Sequence, residues 1–146
     1  MVLSLLIGSF IIIISVVVQA YGNVMWLKKI SPSFKKEHKF FSSRIALRLL
    51  IYSFIFFTIL HFLQTWLWAF AYMLIPETNG AFLSVLEAWY FSMITFTSLG
   101  YADLTLTGNW RLLSGIEAIN GIMLIGWSTA MMFALIQQIF KKINSN

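Results

Sequence analysis

The sequence predicts an all-α membrane protein: three transmembrane helices plus a shorter re-entrant helix and loop. Three observations lead there. Of 146 residues, 60% are hydrophobic and 10% charged, where an ordinary soluble domain carries about 25% charged residues. Three long runs carry no charge or a single one. The charges between the runs are sorted by sign, which is how a chain encodes its orientation across a bilayer.

The first run, residues 2–20, holds no charge and meets the length of about 20 residues that a crossing requires. Basic residues follow it, at Lys28 and Lys29, and do not precede it. Residues 1–21 therefore read as a retained transmembrane helix, not a cleaved signal peptide. Residues 22–44 read as a basic cytoplasmic loop. Lys28, Lys29, Lys35, Lys36, Lys39 and Arg44 stand there against Glu37 alone, and Pro32 is expected to break a helix running through. The positive-inside rule then puts the N-terminus outside and the C-terminus in the cytoplasm. Orientation is the first role of these charges, and attraction to anionic headgroups a second. The net charge of +5 thus needs no nucleic acid, and no nucleic-acid-binding pattern accompanies it. With cysteine absent there is no disulfide framework and no thiolate metal site.

The second run, residues 49–75, is longer than one crossing needs. Arg48 can snorkel at its start, and Trp66, Trp68 and Tyr72 crowd its other end, where amphipathic rings favour the interface. Residues 76–111 are mixed. Pro76, Asn79 and Gly80 make a turn. The stretch FLSVLEAWYFSMITF, residues 82–96, is apolar but short for a span. TSLGYAD follows, then Gly108, Asn109 and Trp110. This is the pattern of a half-crossing helix and an extended return. Such backbone is tolerated at membrane depth only where it is buried in protein or lines a watery path. The third run, residues 112–140, has Glu117 as its single charge and ends at Lys141 and Lys142. Residues 141–146 are a short cytoplasmic tail.

A cation leaving water must find other oxygens at little net cost. An extended backbone can offer carbonyls in series, and a residue tolerant of positive φ lets adjacent carbonyls face the same way. The stretch WYFSMITFTSLGYAD resembles the pore helix and selectivity filter of the potassium channel superfamily, near T-x-T-T-V/I-G-Y-G-D. Thr95, Thr97, Leu99, Gly100, Tyr101 and Asp103 match. Ser98 takes the place of a threonine and keeps the hydroxyl; Ala102 takes the place of the second glycine. The resemblance covers residues 45–140 as a pore domain of outer helix, pore loop and inner helix. Residues 1–21 are an added helix, similar to three-span bacterial relatives.

The resemblance implies a homotetramer in the lipid bilayer, one loop per subunit, passing monovalent cations. Thr97, Ser98, Leu99, Gly100, Tyr101 and Ala102 would bind the ion. The permeant ion is K+, with Na+ admitted if Ala102 distorts the outer ring, since a Cβ at positive φ costs about 1 kcal/mol or more. No cofactor is implied, and no metal beyond permeant cations. Trp89 and Tyr90 would form an aromatic cuff around the filter. Some family members pair a glutamate at the position of Ile94 with the filter aspartate; here Asp103 is expected to turn to Trp89 or Tyr90. Gly121 falls where the family often has a hinge glycine, although close helix packing also accounts for it. Ile125, Thr129, Met132 and Ile136 share a face expected to line the cavity and its gate.

Glu117 is the one acid inside a span, and such residues are functional by default. Three roles stand open: bracing the filter from behind through Ser92 or Thr95, binding a cation directly, or being protonated and tolerated. His61, close to Gln64 and Thr65 on one helix, reads as a neutral, hydrogen-bonded histidine. No nucleophile–base pair, glycine-rich nucleotide loop or metal-ligand spacing occurs, so enzymatic activity is not expected. Two rival readings are kept. One is a non-conducting membrane protein that acts as an assembly or regulatory partner, motivated by Ala102. The other is a transporter subunit, against which a single pore loop weighs.

Overall fold

The computed structural model describes residues 2–35 and 43–144. The elements are α1 (Val2–Lys35), α2 (Ser43–Leu74), α3 (Pro76–Asn79), α4 (Val85–Phe96) and α5 (Arg111–Asn144), the last entered through a 3₁₀ turn at Gly108–Trp110. Among the described residues there is no strand. Three helices, α1, α2 and α5, are long and apolar enough to cross a membrane, and α4 is a shorter apolar helix between them. The fold class is the one the sequence predicts.

The extent of the first helix is not. α1 does not stop near residue 21 but continues through Lys28, Lys29 and Pro32 to Lys35. Its 34 residues span about 50 Å at 1.5 Å per residue, more than the hydrocarbon core of about 30 Å, so its basic end projects beyond lipid. Pro32 is tolerated because it lies in the last turn. One intrahelical bond, to the Lys28 carbonyl, is lost where the helix is running out of donors anyway. The middle of the basic segment, with Lys36, Glu37, His38 and Lys39, lies outside the described residues, as do Ser145 and Asn146.

Two apolar clusters hold the bundle. One joins the end of α1, the start of α2 and the end of α5 through Trp26, Ile30, Leu49, Phe57, Leu135 and Ile139. The other surrounds α4 and includes Trp68, Tyr72, Phe91, Phe96, Leu113 and Leu124. Lys28, Lys29, Arg48, Lys141 and Lys142 therefore gather beyond the first cluster, whereas Glu77, Glu87 and Asp103 belong to the end that carries α4.

Apolar burial gives little drive between helices in lipid, where tails are as apolar as leucine; small and polar contacts decide which faces meet. α1 illustrates this. Its buried stripe runs Ser4, Gly8, Ile11, Ser15, Gln19, Gly22, Asn23, Trp26 and Ile30, a helical period made mostly of small and polar residues. Its exposed side is Leu3, Leu6, Phe10, Ile13, Val17 and Val24. Gln19 Nε2 donates to Ser128 Oγ on α5 at 2.9 Å, and Gln64 Nε2 on α2 donates to Gln19 Oε1 at 2.9 Å. Trp26 Nε1 donates to Ser53 Oγ at 2.9 Å. The first helix thus docks on α2 and α5 of its own chain.

Gln19 links three helices, so Gln19→Leu is expected to lower stability by about 1 kcal/mol, at roughly 0.6 kcal/mol for each interhelical bond. Thermal unfolding of the purified protein checks this, with Val17→Leu on the exposed side as the neutral comparison.

Candidate functional site

The site begins with a short helix that has to be held at both ends. Ser84 caps α4: its side chain accepts from the Glu87 amide at 3.2 Å, and the Glu87 carboxylate accepts from the Leu83 amide. The arrangement is close to a capping box, and it sets a negative charge in the first turn, where the helix dipole favours one. At the other end the chain folds back on the helix. The Ser98 amide donates to the Thr95 carbonyl at 2.9 Å, and the Leu99 and Gly100 amides both donate to the Ile94 carbonyl, at 2.8 and 3.1 Å. Thr97 Oγ1 donates to the Met93 carbonyl at 2.7 Å. These donors satisfy carbonyls that a helix C-terminus would leave orphaned.

Beyond Thr97 the backbone alternates. φ is +57° at Ser98, +52° at Gly100 and +60° at Ala102, while Leu99 and Tyr101 stay on the negative side. Ordinary extended chain points successive carbonyls to opposite sides; alternation of hand turns them toward one side. Among the described residues, no carbonyl of residues 98–102 accepts a hydrogen bond. The amides of Ser98, Leu99 and Gly100 are thus used on α4, while the carbonyls of the segment meet no donor among the described residues. Ala102 holds the glycine-like conformation in spite of its Cβ.

Supporting groups surround the loop. Tyr90 on α4 donates its hydroxyl to Asp103 Oδ2 at 2.9 Å, and Asp103 Oδ1 accepts from the Leu104 amide at 3.1 Å. The bond to Asp103 pushes the Tyr90 phenol up from its ordinary value, so it stays a donor at physiological pH. Trp89 turns the other way: its Nε1 donates to Thr65 Oγ1 on α2 at 2.9 Å, and its ring stacks on Trp66 at 4.4 Å. Of the two aromatic partners considered for Asp103, the structure brings Tyr90 to it and sends Trp89 to the outer helix.

Glu117 on α5 is fully buried behind α4. Tyr72 OH of α2 donates to its Oε2 at 2.6 Å, and Ser92 Oγ of α4 lies 2.5 Å from its Oε1. Ser92 Oγ also donates to the Thr65 carbonyl at 2.8 Å. Three helices therefore meet at one carboxyl group, through Ser92 and not Thr95. Nearby, α5 comes so close to α4 that a Cβ at Gly121 would lie 1.9 Å from the Phe96 carbonyl oxygen. A side chain of any kind is excluded there.

The remaining inner-helix residues are less convergent. Ile125 borders an apolar groove together with Phe96 of α4, Thr97 and Leu99 of the loop and Thr58 and His61 of α2. Thr129 is exposed, and Met132 and Ile136 are half-buried farther along α5. His61 Nδ1 lies 2.9 Å from Gln64 Oε1, extending the Gln64–Gln19–Ser128 chain. Among the described residues no cluster of three metal-ligating side chains occurs.

Helix–loop–helix, capped pore helix and free carbonyls set the context for one comparison. Residues 45–138, from α2 into α5, match the family model described as an ion channel. The chain belongs to the ion channel family. The match covers well over half of the chain and leaves α1 outside it. No curated protein and no solved structure shows a significant match. As in the potassium-channel-like members, the channel's pore domain is the two-helix type.

Sequence reasoning missed the part played by α2. Thr65 receives both Trp89 and Ser92, and Tyr72, two turns on along the same face, reaches Glu117. That i, i+7 spacing was the available signal.

At Gly121 the packing limit is absolute in the static fold. Gly121→Ala is expected to cost about 1–3 kcal/mol by overpacking, whereas Gly115→Ala, with nothing within 4 Å, is tolerated. Thermal melting of the two variants beside wild type measures the difference.

Proposed function

We propose that this channel is a homotetramer that conducts K+ passively through a filter formed by residues 97–102, four loops around one axis. The observation that carries the reading is the pairing of alternating φ with carbonyls that accept no hydrogen bond among the described residues: the backbone keeps a row of oxygens in reserve at membrane depth, where an unsatisfied polar group is expensive. Permeant ions satisfy them in turn, with the Thr97 and Ser98 hydroxyls toward the cavity. The C-terminal end of α4 adds its negative dipole there.

Tetramer formation answers a second feature. In one copy Leu99 and Tyr101 are 56% and 65% exposed, and the loop they belong to is exposed along residues 97–103. One loop cannot surround an ion, and a closed cyclic arrangement lets each copy cover its neighbour's loop. Tyr90 and Asp103 brace the outer end of the filter, and Trp89 ties the pore helix to α2. Gly121 keeps α5 against the filter base. Ile125, Thr129, Met132 and Ile136 line the path below. The basic ends of the helices face the cytoplasm and the N-terminus lies outside. Conduction asks no bond-making of any side chain.

Ala102 bears on selectivity. A left-handed alanine costs about 1–2 kcal/mol per residue, felt in each subunit, yet φ stays at +60°. Each copy therefore keeps, at a strain, the left-handed turn that an outer ring needs, which favours a conducting, K+-preferring filter over a silent assembly partner. In liposomes under opposed Na+ and K+ gradients, the reversal potential should lie toward K+. Ala102→Gly should move it farther that way and raise tetramer stability by about 1 kcal/mol per subunit. Intact tetramers without flux, blocked or unblocked by Ba2+, would favour the assembly-partner reading. A reversal potential unmoved by the glycine would remove Ala102 from selectivity.

A further inference from the structure

The contacts at Glu117 do not balance unless the acid carries a proton. Three oxygen–oxygen approaches meet there: Tyr72 OH to Oε2, 2.6 Å; Ser92 Oγ to Oε1, 2.5 Å; and Ser92 Oγ to the Thr65 carbonyl, 2.8 Å. Each is short enough to call for a hydrogen of its own, since a hydrogen shared between two acceptors makes two long, bent bonds. Tyr72 supplies one and Ser92 one, while a carbonyl supplies none. Ser92 can fill only one of its two contacts. The Thr65 carbonyl can only accept, so the Ser92 proton belongs there. The Oε1 contact then has a single remaining source, the carboxyl group itself.

We propose that Glu117 is held as a neutral carboxylic acid, its proton on Oε1 and donated to Ser92, and that in this form it is the positioning residue for the pore helix. The chain of donors runs Glu117 Oε1–H to Ser92 Oγ–H to the Thr65 carbonyl, with Tyr72 donating to Oε2. Every lone donor is used, and α2, α4 and α5 are joined by a hydrogen-bonded unit without net charge. Moving the proton to Oε2 fails, because it leaves Tyr72 without an acceptor and the Oε1–Ser92–Thr65 pair again one hydrogen short.

The surroundings agree. Glu117 is fully buried, and no cation is among its partners. The group facing it from α2 is the Tyr72 phenol, and from α4 the Ser92 hydroxyl; Glu87 of α4 is engaged at the helix start with Leu83. α1 packs beside it with Gly8 against Ile116 and Leu113 and has no charged residue before Lys28. On α5 itself the nearest charge in sequence is Arg111, which is exposed. A buried carboxylate with no cation beside it is disfavoured, whereas a neutral acid with its donor and acceptors filled is an ordinary satisfied group.

Loss of the proton would take away the hydrogen between Oε1 and Ser92. Ser92 would then turn to the carboxylate and release the Thr65 carbonyl, loosening α4 from α2 and with it the loop hung on the Ile94 carbonyl. The neutral form is thus the competent one, and function falls as pH rises through the ionisation of the acid. The flux part of the test rests on the channel reading; the spectroscopic part does not.

The full chain in liposomes is examined by infrared difference spectroscopy near neutral pH. A protonated-carboxyl stretch should be present, absent in Glu117→Gln, and shifted in Ser92→Ala and Tyr72→Phe. Its replacement by a carboxylate band would overturn the proposal. On the same vesicles, K+ flux in wild type should fall about tenfold on the alkaline side, the ratio set by roughly one orphaned buried acceptor. In Glu117→Gln, whose amide supplies both an acceptor and donors, flux should be flat with pH relative to its own neutral value. Equal alkaline decline in both, or none in wild type, would overturn the positioning role. Vesicles silent at every pH would count against the channel reading alone. The infrared band and the pH dependence of the thermal midpoint, lost in Glu117→Gln, would still decide the proton and its role.

Discussion

Backbone polar groups at membrane depth can turn only to the protein itself or to whatever passes through it. A helix meets this demand automatically, and the three long helices of this channel do so. The segment after Phe96 cannot. The amides of Ser98, Leu99 and Gly100 solve part of the problem by bonding back to Ile94 and Thr95, which also finishes the end of α4. Its carbonyls meet no donor among the described residues, so the rest falls to a group from outside the chain. The alternating φ at Ser98, Gly100 and Ala102 is the backbone's way of keeping those carbonyls together, where scattering them would leave each to find a partner of its own.

Holding such a loop in register requires that α4 not move. Lipid gives weak hydrophobic drive between helices, so the restraint is built from hydrogen bonds and contact. Ser92 and Trp89 both fasten α4 to Thr65 on α2, Glu117 adds α5 and Tyr72, and the bare backbone of Gly121 lets α5 close on the Phe96 carbonyl. The short helix is therefore fixed at its middle by side chains and at its end by backbone proximity. Tyr90 and Asp103 restrain the far side of the loop, so both ends of residues 98–103 refer to the same helix.

Much of this was legible before any coordinates. Uncharged runs gave the spans, and the step from FLSVLEAWYFSMITF to TSLGYAD gave the half-helix and its return, because composition changes sharply where backbone leaves the helix. Glu117 stood out as a charge in an apolar run. Its partners did not, because Tyr72 and Thr65 look like interface aromatics and helix polars until tertiary packing brings them to α4. α1 runs through Pro32 for a local reason: a proline rule that holds in helix interiors loosens within the last four residues of the element, where Pro32 itself is exposed. The polar stripe of α1 was present as Ser4, Ser15, Gln19 and Asn23, but an apolar count over residues 2–20 averages it away.

That stripe explains why the channel can carry a helix outside the matched pore domain without losing definition. A uniformly apolar α1 would slide or detach, since lipid and protein would look alike to it. Gln19 and Ser128 meeting Gln64, and Trp26 meeting Ser53, fix both rotation and depth, because a buried amide left without its partner has no water to turn to. His61 extends this chain to within ring contact of Phe96, 5.9 Å between centroids. Polar contacts near the bundle's midline therefore run from α1 to the end of α4, so a change in how α1 docks has a physical route to the loop that follows Phe96.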